Sequence, residues 1–109
     1  MKRYCLALDL IDDEALIAEY EACHDNIWPE IIKSIKGSGI ESMEIYRTGN
    51  RLFMIMEVND SFSFEAKGKA DASNLKVQEW ETLMWTYQQA IPHAKAGEKW
   101  LLMDMIFKI

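Results

Sequence analysis

Two cysteines, two histidines and two prolines stand among the 109 residues. No apolar run reaches the roughly 18 residues that a membrane-crossing helix needs. Each scarcity excludes something. Cys5 and Cys23 are too few and too far apart for a redox pair or a zinc site, so reduced thiols of a cytoplasmic protein are expected. Cys23, His24 and Asp25 are consecutive, and on a helix their side chains diverge by about 100° each, so they cannot share one ion. His93 is the only other imidazole, and no H-x-x-x-H, H-E-x-x-H or C-x-x-C spacing is present, so no metal is expected. The five glycines form neither a P-loop nor a dinucleotide fingerprint, and no cofactor is expected. Basic residues are outnumbered 18 to 12, a net charge of -6, which argues against a nucleic-acid partner and against an anionic membrane surface. A neutral small-molecule substrate suits such a protein better. The opening MKRYCLALDLIDDE has a basic start and a short apolar run. Asp9, Asp12 and Asp13 interrupt it, so it reads as a strand rather than a signal peptide.

What is present is an ordinary globular composition, half apolar and 28% charged, of a length that suits one domain over residues 1–109. Tyr4, Leu6, Leu8 and Leu10 alternate with their neighbours as a strand does. Asp12 or Asp13 can cap a following helix in which Leu16, Tyr20, Cys23 and Ile27 recur at helical spacing. Trp28-Pro29 breaks that helix and starts another, with Ile31, Ile32 and Ile35 inward and Gly37 and Gly39 at its end. Strands are expected over 40–46 and 52–58, joined at Thr48-Gly49-Asn50. A short helix over 60–69 would carry Phe62 and Phe64 inward. A longer one over 74–91 would bury Val77, Trp80, Met84, Tyr87 and Ile91, and a last strand would run over 100–107.

The order β-α-β-β-α-β is the split βαβ, ferredoxin-like α+β pattern, an antiparallel sheet with helices on one face. The strands are nevertheless apolar on both faces: Leu52, Met54, Met56 and Val58 alternate with Phe53 and Ile55. An uncovered apolar sheet face needs a partner, and the simplest is a second copy related by a two-fold axis. The expected assembly is a homodimer, a dimeric α+β barrel.

His24 is the leading candidate for chemistry. It lies four residues beyond Tyr20, on the same helix face. Imidazole transfers protons near neutrality, and a tyrosine beside it can hydrogen-bond a substrate. A histidine at a helix end can equally cap the last carbonyls, and the spacing leaves both readings open. Trp80 belongs to the inward stripe, while Trp85 lies off it and needs another role: dimer contact, pocket wall or exposure.

Tyr20-x-x-x-His24 followed by Asn26-Ile27-Trp28-Pro29-Glu30, with Glu44-Ile45-Tyr46, Leu52-Phe53-Met54-Ile55-Met56-Glu57 and Val77-Gln78-Glu79-Trp80, resembles the L-rhamnose mutarotases across essentially the whole chain. The resemblance implies a dimeric ferredoxin-like isomerase that interconverts the α and β anomers of a 6-deoxy-L-hexose, L-rhamnose or L-fucose, without cofactor. His24 matches the family's catalytic proton donor, Tyr20 its substrate-binding tyrosine, and Trp80 the first of two tandem tryptophans lining the sugar pocket. Trp28 falls at the mouth of that pocket. Tyr46 and Tyr20 are candidates for a second acid or base, with Glu57 behind them. Two positions depart from the pattern. Met43 stands where the family's rhamnose enzymes carry a tyrosine, and Glu81 stands where the second tryptophan is expected. An alternative register sets Met84-Trp85 over the tryptophan pair. Two rivals share the architecture, a small dimeric monooxygenase and a non-catalytic sugar-binding dimer.

Overall fold

The computed structural model describes residues 1–109. Strand β1 (Lys2–Leu10) leads into helix α1 (Glu14–Asp25), and Asp13 caps that helix by accepting from the Leu16 N–H at 3.0 Å. Pro29 opens helix α2 (Pro29–Gly37), where its fixed φ and missing N–H carry no penalty. Ile31 is buried and Ile35 half-buried, but Ile32 is exposed, because one residue turns it about 100° from Ile31. Gly39 follows at φ 98°, a left-handed turn into strand β2 (Ile40–Thr48). A two-residue turn at Gly49-Asn50 reverses the chain into strand β3 (Arg51–Val58).

Beyond β3 the structure departs from expectation in three places. The third helix is α3 (Phe64–Ala72), later than 60–69, because Ser63 supplies the cap by accepting from Ala66 N–H; Phe62 precedes the helix and Phe64 is partly exposed. Helix α4 (Leu75–Trp85), capped by Asn74, stops six residues short of Ile91. The Thr86 and Tyr87 N–H groups fold back to Leu83 and Met84, and the free edge of β1 then takes Gln88–Gln89 as strand β4, opposite Asp9 and Leu10. Tertiary pairing thus overrides the helical pattern of the sequence. The final strand is shorter than 100–107. Only β5 (Leu101–Leu102) pairs with β1, one further bond joins Met103 N–H to Cys5 C=O, and Met105, Ile106, Phe107 and Ile109 are exposed.

The sheet runs β4-β1-β3-β2, every pairing antiparallel, with β5 beside β4 along the outer edge of β1. This is the ferredoxin-like order reached from the sequence. One face carries Leu6, Leu8, Leu10, Leu52, Met54, Met56 and Val58 into a core shared with Ile31 of α2 and with Val77, Trp80 and Met84 of α4. Leu8, Leu10 and Leu52 are fully buried, each contributing about 1.5–3 kcal/mol of apolar transfer. The opposite face bears Phe53, Ile55, Tyr46 and Ala7 with no helix over it. A bulge between Ile40 and Ser42 leaves Glu41 without a partner on β3. It therefore turns Met43 and Ile45, rather than Ser42 and Glu44, toward the helices.

Candidate active site

The α-helical repeat brings Tyr20 and His24 together, with ring centroids 4.5 Å apart. His24 Nδ1 lies 2.9 Å from the Tyr20 carbonyl oxygen, which can only accept, so Nδ1 carries a proton and donates. The Nδ1 bond reaches back one turn inside α1, not to the last carbonyls of the helix, and it holds the ring while Nε2 makes no hydrogen bond to the protein. Tyr20 is 4% exposed and its hydroxyl accepts from Gln88 Nε2 at 3.3 Å. Burial raises the Tyr20 phenol above its usual value, so it stays protonated and keeps a hydrogen to donate.

These side chains open on a cavity of about 390 Å³ between the inner sheet face and the helices. Of 24 lining residues 16 are hydrophobic, so a ligand there meets apolar walls and a few polar groups, the usual division of labour in a small-molecule site. Trp80 forms one wall, its ring edge-on to His24 at 5.7 Å. Trp28 lies outside the lining and packs edge-on against Trp80 at 5.1 Å, buttressing that wall from behind. The Trp-Pro break between α1 and α2 thus places an indole where it braces the pocket.

The remaining sequence candidates divide between the two faces of the sheet. Met43 lines the cavity, and so does Glu81, the residue after Trp80. Trp85 does not line it; its exposed ring stacks under Lys99 Nζ at 4.9 Å, so the Trp80-Glu81 pair rather than Met84-Trp85 puts its second member on the cavity. Tyr46 does not line this cavity. It pairs with Phe53 on the uncovered face, is 54% exposed and donates to Glu44, away from His24. Glu57 shares that outer face. Strand alternation is the reason, since residues three apart on a strand point to opposite sides.

Five polar groups on the cavity, Ser34, Lys67, Asp71, Gln88 and Lys99, escaped sequence reading. Gln88 sat inside a presumed helix, where nothing marked it. Asp71 of α3 accepts from Lys67 Nζ at 2.9 Å on both carboxylate oxygens and from Ser34 Oγ at 3.3 Å, tying α3 to α2. The i,i+4 spacing of Lys67 and Asp71 was the available signal.

A model of the L-rhamnose mutarotase family matches residues 3–109. The chain belongs to the L-rhamnose mutarotase family. Among curated relatives, an L-fucose mutarotase of Xanthomonas campestris pv. campestris is 44% identical across 100% of this chain and 89% of that protein. An L-rhamnose mutarotase of Acidiphilium cryptum is 30% identical over 75% of this chain and 81% of that protein. The crystal structure of an L-rhamnose mutarotase from Formosa agariphila superposes with a TM-score of 0.73, covering 100% of this chain and 99% of that one, at 20% identity. That likeness carries the ferredoxin-like fold, while the family match makes this chain an isomerase, a mutarotase. The family background also disfavours the monooxygenase reading that the fold alone had left open.

Proposed function

We propose that this mutarotase interconverts the α and β anomers of a 6-deoxy-L-hexose, with L-fucose preferred over L-rhamnose, and that His24 is its catalytic acid–base residue. The observation that carries the proposal is the division of labour on His24: Nδ1 is committed to the Tyr20 carbonyl at 2.9 Å, and Nε2 is left for the sugar on the wall of an aromatic-lined cavity. Mutarotation needs only proton transfer. With Nδ1–H held by the Tyr20 carbonyl, the imidazolium form carries the second proton on Nε2; that proton goes to the ring oxygen as the C1–O5 bond breaks, the anomeric hydroxyl loses its proton, and C1 becomes an aldehyde carbon. After rotation about C1–C2, O5 adds to the other face of C1 and both protons return. A group held at one orientation can serve both directions.

Tyr20 offers its hydroxyl hydrogen to a sugar oxygen while Gln88 occupies one of its lone pairs. Trp80 presents an apolar wall to the sugar's C–H bonds, braced by Trp28. The preference for L-fucose is supported by the 44% identical relative named for that sugar. It is also supported by the two cavity positions, Met43 and Glu81, at which this chain leaves the pattern of the rhamnose enzymes. The two sugars differ in hydroxyl configuration, and such positions are where hydroxyls are distinguished.

The test is NMR saturation transfer between the anomers of L-fucose and of L-rhamnose. The wild-type protein is expected to accelerate exchange, more for L-fucose, and His24→Ala to return it to the spontaneous rate with the fold intact by circular dichroism. Unchanged exchange in His24→Ala would sink the assignment. The working unit is proposed to be a homodimer, supported by the uncovered Phe53 and Ile55 face and by the exposed apolar segment from Met103 to Ile109. Light scattering should return twice the chain mass; a monomer at micromolar concentration would refute that assembly.

A further inference from the structure

Ring opening requires two proton-handling groups on one sugar, and His24 Nε2 is one of them. Six titratable side chains line the cavity: Tyr20, His24, Lys67, Asp71, Glu81 and Lys99. A partner for His24 must be able to accept a proton and must be free to do so. Asp71 is not free, since both of its oxygens are held by Lys67 and one by Ser34 as well. Lys67 is bound in the same pair, and Lys99 lies over the face of Trp85. Tyr20 is kept protonated by burial and serves as a hydrogen-bond donor rather than a base. One carboxylate is left. Glu81 is half-buried, forms no ion pair, and has as its one side-chain hydrogen bond that from Gln78 Nε2 at 3.4 Å. Glu81 and His24 both line the cavity, and Trp80, the residue before Glu81, meets the His24 ring at 5.7 Å.

We propose that Glu81 is the second catalytic residue of this mutarotase, the carboxylate that exchanges a proton with the anomeric hydroxyl while His24 exchanges one with the ring oxygen. The assignment rests on the mutarotase reading above and adds a residue to it. In the opening step, starting from the His24 imidazolium and the Glu81 carboxylate, Glu81 takes the O1–H proton, the O1 electron pair forms the C1=O1 bond, and the C1–O5 bond breaks as O5 takes the Nε2 proton and leaves His24 neutral with Nδ1–H on the Tyr20 carbonyl. After rotation about C1–C2, Nε2 recovers the O5 proton as O5 attacks C1. Glu81 returns its proton to O1. Each group ends in its starting state, no electron is gained or lost, and no further reactant is consumed. A tandem tryptophan could supply only an apolar wall and an N–H donor at this position. The carboxylate at 81 is therefore a change of mechanism as well as of shape.

Three variants test this with the full-length protein and saturation transfer on L-fucose, recording kcat and KM across pH. Glu81→Gln keeps the side-chain shape and polarity and removes the base. It is expected to lower kcat by about 100-fold or more, the usual contribution of a general acid–base group, with KM within about threefold, and to remove one limb of the kcat–pH profile. Glu81→Asp should keep that limb with a smaller loss of rate. Glu81→Ala should regain rate when formate is added, because a free carboxylate can enter the space. Wild-type kcat in Glu81→Gln, or a loss confined to KM, overturns the role of Glu81 and leaves the mutarotase reading standing. A wild-type protein that accelerates neither sugar overturns both.

Discussion

Tyr20→Phe probes the hydrogen bond that links the core to the cavity. The substitution leaves the ring in place, 4.5 Å from His24, and removes only the hydroxyl that accepts from Gln88. Gln88 is 8% exposed, so its amide loses a partner that water cannot readily replace. A buried donor left unsatisfied costs about 1–3 kcal/mol. For a chain of this size each kcal/mol lowers Tm by roughly 4–8 °C, so the variant should melt about 4–24 °C below wild type at matched protein concentration. The alkaline limb supplies an independent readout. The folded Tyr20 phenol is raised above its unfolded value of 10.0, chiefly by burial, so the folded state holds this proton where the unfolded chain has released it. The associated stability is fully present below pH 10 and is lost as pH rises through the folded value. Tyr46, raised by its bond to Glu44, and Tyr87, raised by desolvation and by Cys23 and Glu19, act in the same direction in both proteins, so the difference between them isolates Tyr20. Denaturant unfolding at pH 8 to 11 should therefore show a shallower alkaline loss in Tyr20→Phe. Equal Tm values, or parallel alkaline slopes, would refute the reasoning.

Two further outcomes follow from the geometry. Gly39→Ala forces a side chain into φ 98° and puts its Cβ 2.7 Å from Asn59 Oδ1; left-handed strain alone costs about 1–2 kcal/mol, so the urea midpoint should fall clearly, and an unchanged midpoint would contradict the turn. Met43→Tyr adds a hydroxyl to the cavity wall, where the family's rhamnose enzymes carry a tyrosine, and should shift the ratio of kcat/KM values from L-fucose toward L-rhamnose, as competition between the two sugars would show.

The first half of the chain was legible because its signals are local. Asp13 caps α1, Pro29 opens α2, and Gly49-Asn50 turns the hairpin, each by the conformational preference of the residue itself. Tyr20 and His24 were paired by the helical repeat alone. The second half failed where the deciding partner is remote in sequence. Gln88–Gln89 leaves the helical pattern because the edge of β1, almost 80 residues earlier, needs a partner. Tyr46 faces outward for a subtler reason. Without the bulge at Ile40–Ser42 it would have faced the helices, and nothing in the residues around Glu41 announces that extra position.

That bulge has a consequence for how the protein can change. Loss of Glu41 would join Ile40 to Ser42, whose β3 partners Val58 and Glu57 are already adjacent, so the ladder would close with Met43 and Ile45 still toward the helices; loss of a residue between Ser42 and Tyr46 would instead exchange the sides of the strand beyond it. A deletion there would change the cavity wall and the outer face together. Point substitutions, in contrast, can alter one while sparing the other, because odd and even positions along the strand answer to different demands. The irregular position at Glu41 is thus where β2 can shorten by one residue without changing which side chains meet the cavity, while a change of length further along the strand is penalised on both faces.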